Sequence, residues 1–141
     1  MASGVGVNDD CQAKFLEMKL GHKYRYVIYR LSADNKEIVV DKTGSMDSTY
    51  DDFIGDLSEH ECRWAVYDFD HKLDEDSRIR KLIFISWCPD GARIKSKMIF
   101  TSSTDTLRRT LNGIGLQIAA TEWSEIFFEA VLDKAQRGSR Y

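Results

Sequence analysis

The run RKLIFISW, residues 80–87, constrains this chain more than any other stretch. It is nearly all apolar through its middle and rich in β-branched and aromatic side chains. A strand with one wet face alternates apolar and polar residues; a continuous apolar run belongs to a strand covered on both faces. The chain must therefore build a sheet with a layer on each side. The neighbouring periodicities supply the layers. Residues 8–20 place Cys11, Phe15 and Met18 on one helical face, with Asn8 or Asp9 as N-cap. Residues 24–31 and 36–42 are β-rich runs separated by SADN, the pattern of a hairpin. Residues 48–57 predict a short helix capped by Ser48 or Thr49, residues 62–70 a strand, and residues 116–120 a fifth strand. Residues 122–137 predict a last helix, with Ile126, Ala130 and residues 132–134 at helical spacing and Gly138 as its stop. The expected fold is α/β: one domain over residues 1–141, a mixed sheet of about five strands sandwiched between helices, with tails at 1–7 and 138–141.

The chain is 141 residues long and 43% hydrophobic, enough for one real core. No apolar run is long enough to span a bilayer, and MASGVGVNDD lacks the basic and apolar regions of a secretory signal. Three cysteines at wide spacing, Cys11, Cys62 and Cys88, argue against a disulfide framework and fit a reducing, intracellular setting. Charge is unevenly placed. Residues 93–113 carry five bases and one acid and residues 134–141 three bases and no acid, while the whole chain has a net charge of −3. A basic patch on an acidic body points to a specific anionic partner rather than to general nucleic-acid affinity.

Residues 94–113 sharpen that expectation. Turned by about 100° per residue, they gather Ile99, Phe100, Ser103, Leu107, Leu111 and Ile114 on one side, with Ser96 beside them. The other side holds Ile94, Met98, Thr101, Asp105, Arg108 and Arg109, and Lys95 and Lys97 flank Met98. Solvent alone gives no reason to set a thioether between two lysines. A protein partner does: methionine makes an adaptable apolar contact and the cations orient it on an acidic surface. The alternative is that Met98 tucks against a loop and the charges form a solvated face.

Three segments carry a resemblance to a known family: WAVYDFD, then WCPDGARIKSKMIFTSSTDTLRRTLNG, then QIAATEWSE. Together with the start MASGVGV they make the chain similar, nearly end to end, to the actin-depolymerizing factor/cofilin family, and most to its shorter non-vertebrate members. The resemblance implies a central mixed sheet between helices and a non-enzymatic protein without cofactors. It implies binding of actin monomers and filament sides, preference for ADP-actin, and severing and depolymerisation. Lys95, Lys97 and Met98 become the centre of a contact in the cleft between actin subdomains, with Arg108 and Arg109 further along the helix. The N-terminal segment, with Ser3 and Gly4, joins that contact, and Ser3 matches the family's phosphorylated serine. A second surface, for filaments only, falls on Arg78, Arg80, Lys81, Asp133, Lys134 and Arg137. The resemblance further implies a monomer at the cytoplasmic actin cytoskeleton, with phosphatidylinositol 4,5-bisphosphate as a competing ligand. Arg93 stands where small or apolar residues are common, the loop HKLDEDSR is acidic beside the filament-binding bases, and the lysine-rich nuclear-import insert of vertebrate members is absent.

Other readings compete. The same basic face suits a phosphoinositide-binding module. Asp68 and Asp70 end an apolar strand, as in aspartate-nucleophile phosphatases, but Lys72 stands where that motif wants Thr or Val; they read as a strand-end polar pair. His60, Cys62, His71 and Cys88 lack metal-ligand spacing, and Cys62 and Cys88 lie in apolar contexts that suggest core. The glycines of NGIGLQ read as a helix stop rather than a phosphate loop.

Overall fold

The structure, a computed structural model, describes residues 4–138. Six strands form one sheet in the order β1-β3-β2-β4-β5-β6. They are β1 (Gly6–Val7), β2 (Tyr24–Leu31), β3 (Glu37–Ser45), β4 (Arg63–Lys72), β5 (Arg78–Trp87) and β6 (Leu116–Ala120). The helices are α1 (Asp9–Lys19), α2 (Tyr50–Gly55), α3 (Ile94–Thr110) and α4 (Phe128–Gly138). The β2–β3, β2–β4 and β4–β5 pairs are antiparallel, whereas β1–β3 and β5–β6 are parallel. Parallel neighbours cannot be joined by a tight turn, so the β5–β6 connection carries α3 across the sheet.

Strand alternation sorts the side chains into two cores. Tyr26, Ile28, Ala65, Tyr67, Phe69, Ile83, Ile85 and Trp87 meet Phe53 and Leu57 of the α2 region and Val131 and Ala135 of α4. Val27, Tyr29, Trp64, Val66 and Phe84 meet Cys11, Phe15 and Met18 of α1 and Phe100 and Leu107 of α3. The two-layered cover expected from residues 80–87 is therefore present, but β4 is the more completely buried strand, from Arg63 through Phe69. Its charges made it look wetter than it is. Arg63, 8% exposed, is held by Asp41 at 3.1 Å and Glu61 at 2.6 Å. Asp68, 3% exposed, faces Arg80 at 3.7 Å. Paired charges of this kind are tolerated inside where lone ones are not.

Three further expectations need correction. Gly6 and Val7 lie within the stretch read as a tail, yet they pair with Glu37 and Ile38 and add a sixth strand; two residues are too short for a periodic signal. The helix expected over 122–137 is split into a single 3-10 turn, Trp123–Glu125, and α4. The Glu125 carboxylate accepts from the Thr121 and Glu122 amides and closes that turn separately. Gly138 lies within α4 rather than after it, and its buried positions are Val131 and Ala135, not Ala130. Asn8 and Thr49 are the caps of α1 and α2, Thr49 in a reciprocal capping box with Asp52.

Candidate functional site

The turn after β5 launches α3. Pro89 cannot continue the ladder, and Ala92 N–H donates to Pro89 O at 3.0 Å. Arg93 occupies the N-cap without a side-chain cap bond. Downstream, Phe100, Ser103, Leu107 and Leu111 are buried, and Ser103 Oγ donates to Ile99 O at 2.6 Å. The indole of Trp64 stacks on Phe100 with ring centroids 4.1 Å apart. These contacts fix which side of α3 faces solvent.

That side presents two large apolar side chains to solvent. Ile94 is 76% exposed and Met98 68% exposed. Lys95, Thr101, Asp105 and Arg109 are also exposed. Two cations expected on this face are partly committed elsewhere. Lys97 is half-buried and its Nζ donates to Asp90 O at 3.0 Å, across the launching turn. Arg108 is half-buried, with Nη1 donating to Leu111 O at 3.1 Å and Nε buried without a partner. The expected placement of Arg108 on the outward face is thus corrected: its guanidinium folds over the end of α3 to reach a carbonyl the helix leaves open. Arg109 reaches solvent beside Asp105, 3.3 Å away. Ile99, Ile114 and Ser96 sit at the margin of the buried stripe rather than in it. Gly4 is exposed just before β1, and β1 lies against α3. Ser3 lies outside the described residues.

The residues expected to form a second surface do not make a single cluster. Arg78 and Arg80 point to the α1 side of β5, where Arg78 meets Asp70 at 2.5 Å and Arg80 meets the His22 ring at 3.2 Å. Lys81 points to the other side and donates to Ala135 O of α4 at 3.2 Å. On α4, Asp133 and Arg137 pair at 2.9 Å while Lys134 is half-buried. Lys81 and the α4 residues therefore adjoin, whereas Arg78 and Arg80 sit round the strand. His22 had no sequence signal as a partner of Arg80; it follows Gly21 with a positive φ of 48°, which turns it back towards β5.

Asp68 and Asp70 each face a guanidinium one step along the diagonal of the β4–β5 ladder, but Asp68 lies in mid-strand opposite Leu82 and is buried, so only Asp70 sits near the strand end expected of the pair. His71 packs against Phe128, at the opposite end of β4 from Cys62. Among the described residues no three His, Cys, Asp or Glu side chains gather as a metal site would need. In the acidic loop, Asp74 is taken up by the turn, accepting from the amides of Asp76 and Ser77. Trp123 is packed on Trp87, centroids 4.4 Å apart. No described helix is long and apolar enough to cross a membrane.

Comparison with known proteins finds matches over almost the whole chain. Residues 4–136 match the model of the cofilin/tropomyosin-type actin-binding proteins. Cofilin of Schizosaccharomyces pombe is 51% identical over 135 residues, covering 96% of this chain and 97% of that one. Actophorin of Acanthamoeba castellanii is 44% identical, with the same coverage of 96% and 97%. Among solved structures, that of Streptomyces griseoflavus cofilin superposes with a TM-score of 0.89 at 47% identity, covering 96% and 99% of the two chains. Coactosin from Entamoeba histolytica shares the fold alone, with a TM-score of 0.81 at 17% identity. The chain belongs to the cofilin/actin-depolymerizing factor family.

Proposed function

We propose that this protein binds actin monomers and filament sides and promotes severing and depolymerisation of filaments. One observation carries the reading: Ile94 and Met98 stand open to solvent beside Lys95 on a helix whose other side is locked into the core. An apolar patch ringed by cations suits an acidic partner surface with a hydrophobic recess. Lys97, whose amine is within reach of the same surface, and Arg109 extend the contact, and the β1 segment supports it from the side. Arg108 serves mainly to finish α3. Preference for ADP-actin follows if the inserted helix fits one filament state better than another, because only differential affinity shifts a lattice between states.

Lys81, Asp133, Lys134 and Arg137 form the core of a filament-specific surface, with Arg78 and Arg80 at its edge. Ser3 is a phosphorylation switch on the N-terminal segment. The protein works as a monomer at the cytoplasmic actin cytoskeleton, without cofactor, and the same basic face takes phosphatidylinositol 4,5-bisphosphate in competition with actin. Co-sedimentation with actin filaments, paired with light scattering of diluted filaments, tests the reading. Pelleting with filaments and accelerated loss of scattering are expected; absence of both overturns it.

A further inference from the structure

We propose that Cys62 and Cys88 form a reversible dithiol–disulfide site at the start of α3. The β4–β5 register ends with Arg63 opposite Trp87, and continuing it by one residue sets Cys62 opposite Cys88, just beyond the two strands. The Cys88 amide donates to Ala120 O of β6, away from β4. The two cysteines therefore form a pair without mutual ladder hydrogen bonds, where Cα atoms are about 4.5 Å apart and side chains are closest. That separation lies within the range that a disulfide spans. Both side chains leave the sheet on the α1–α3 face, and Cys62 Sγ donates to Cys88 Sγ at 3.6 Å. Rotation about the two Cα–Cβ bonds can bring the sulfurs to about 2.05 Å without separating the strands.

The surroundings suit oxidation. Cys88 is half-buried whereas Cys62 is buried, so Cys88 is the more accessible residue of the pair. Cys62 lines an open cleft of about 420 Å³ together with Arg63, Arg93 and Gly91. The charges of Lys97 and Arg63 act on Cys62 in the direction that favours thiolate, although burial dominates and pushes its thiol up to about 12. Cys88 is accordingly the first to react and Cys62 the resolving group. Cys11 has no such environment: it is fully buried, its Sγ donates to Ile38 O at 3.3 Å, and burial pushes it to about 12.

Hydrogen peroxide is the oxidant. The Cys88 thiolate attacks one peroxide oxygen, the O–O bond breaks, and Cys88 sulfenic acid forms with release of hydroxide, which is protonated to water. Cys62 sulfur then attacks Cys88 sulfur, the S–O bond breaks, and the leaving hydroxide takes the Cys62 proton. Two thiols lose two electrons and peroxide becomes two waters. The new bond joins the segment before β4 to the Pro89–Ala92 turn on which α3 begins.

The test treats reduced protein, at low concentration, with hydrogen peroxide and follows intact mass and tryptic peptides. The expected product is a monomer lighter by two hydrogens, with the Cys62 and Cys88 peptides joined, reverted by dithiothreitol. Cys11→Ser is expected to keep the bridge and Cys88→Ser, at the half-exposed position, to abolish it while circular dichroism stays native. A bridge involving Cys11, bridges between molecules only, or oxygen adducts on Cys88 without any bridge would overturn the proposal.

Discussion

Trp64 Nε1 donates to Thr104 Oγ1 at 2.9 Å, and this single bond ties the most buried strand to the middle of α3. The Thr104 hydroxyl in turn donates to Phe100 O, also at 2.9 Å, and the Trp64 ring stacks on Phe100. Together they set the rotation of α3 about its axis and hence the exposure of Met98. Thr104→Val keeps the shape and removes the acceptor, leaving a buried indole N–H unpaired at a cost of about 1–3 kcal/mol. Phe100→Ala opens a cavity against Trp64 and is expected to cost about 3–5 kcal/mol. Urea unfolding measures both, and a loss in Thr104→Val equal to that in Phe100→Ala would mean that the hydrogen bond rather than the packing anchors the helix.

The exposed end of α3 behaves oppositely. Met98→Ala is expected to leave stability within about 0.5 kcal/mol, since the side chain is open to solvent. Actin affinity should fall by about 1–2 kcal/mol if the thioether fills a recess in the partner. Lys95→Ala with Lys97→Ala should weaken binding further. Because Lys97 also tethers Asp90 O, the single Lys97→Ala variant should show a small loss in thermal stability that Lys95→Ala does not. Calorimetric titration with monomeric actin and thermal melts on the same samples separate the two effects. Unchanged affinity in the double variant would sink the face assignment.

The two proposed surfaces can be separated by assay. Lys134→Ala with Arg137→Ala should reduce pelleting with filaments and severing while monomer affinity is retained. Arg80→Ala should do the same more weakly, since its guanidinium is shared between His22 and Asp68 and lies round the strand from α4. Lys81→Ala removes a link from β5 to Ala135 O and should cost about 1 kcal/mol of stability as well. Parallel loss of monomer and filament affinity in these variants would mean a single surface.

Much of this was legible in the sequence because each element has a local cause. Cys11, Phe15 and Met18 fall on one helical face and are buried there; Leu107 and Ser103 do the same in α3. Met98 reads as outward from spacing alone, and it is. What escaped depends on partners distant in sequence. Lys97 and Arg108 have the right helical angle for solvent, but backbone carbonyls at Asp90 and Leu111 claim them. Asp68 reads as a strand end and is buried because Arg80 arrives from the next strand. Cys62 and Cys88, far apart in the chain, become neighbours only once the β4–β5 register is known. Gly6–Val7 pairs with β3 on two residues, too few for any pattern to announce.

Ser3 offers a charge test of the proposed contact. A phosphate adds about −1.5 to −2 charges, on a segment whose continuation, β1, lies against α3. If the actin surface is acidic, that charge opposes binding. Ser3→Glu should therefore bind monomeric actin more weakly than Ser3→Ala, with the difference shrinking as salt rises. Equal affinities at low salt would remove the switch.

The proposed lipid competition would have a geometric signature. Lys95 and Arg109 are fourteen residues apart on α3, about 21 Å along the axis. One headgroup cannot touch both, so the face can add its cations only against an extended anionic surface, where each contributes about 1 kcal/mol near the membrane. Arg109 contributes less, since Asp105 sits 3.3 Å away, and Lys97 less while it holds Asp90 O. Attachment through these side-chain charges should weaken steeply between low and physiological salt. Vesicles containing phosphatidylinositol 4,5-bisphosphate should therefore displace actin in co-sedimentation, whereas soluble inositol 1,4,5-trisphosphate at matched phosphate concentration should not. If the Lys95 amine serves both ligands, as proposed, Lys95→Ala should weaken both. Displacement by the soluble headgroup would point to a compact pocket instead of a face, and ternary complexes of vesicle, protein and actin would place the two ligands on separate surfaces.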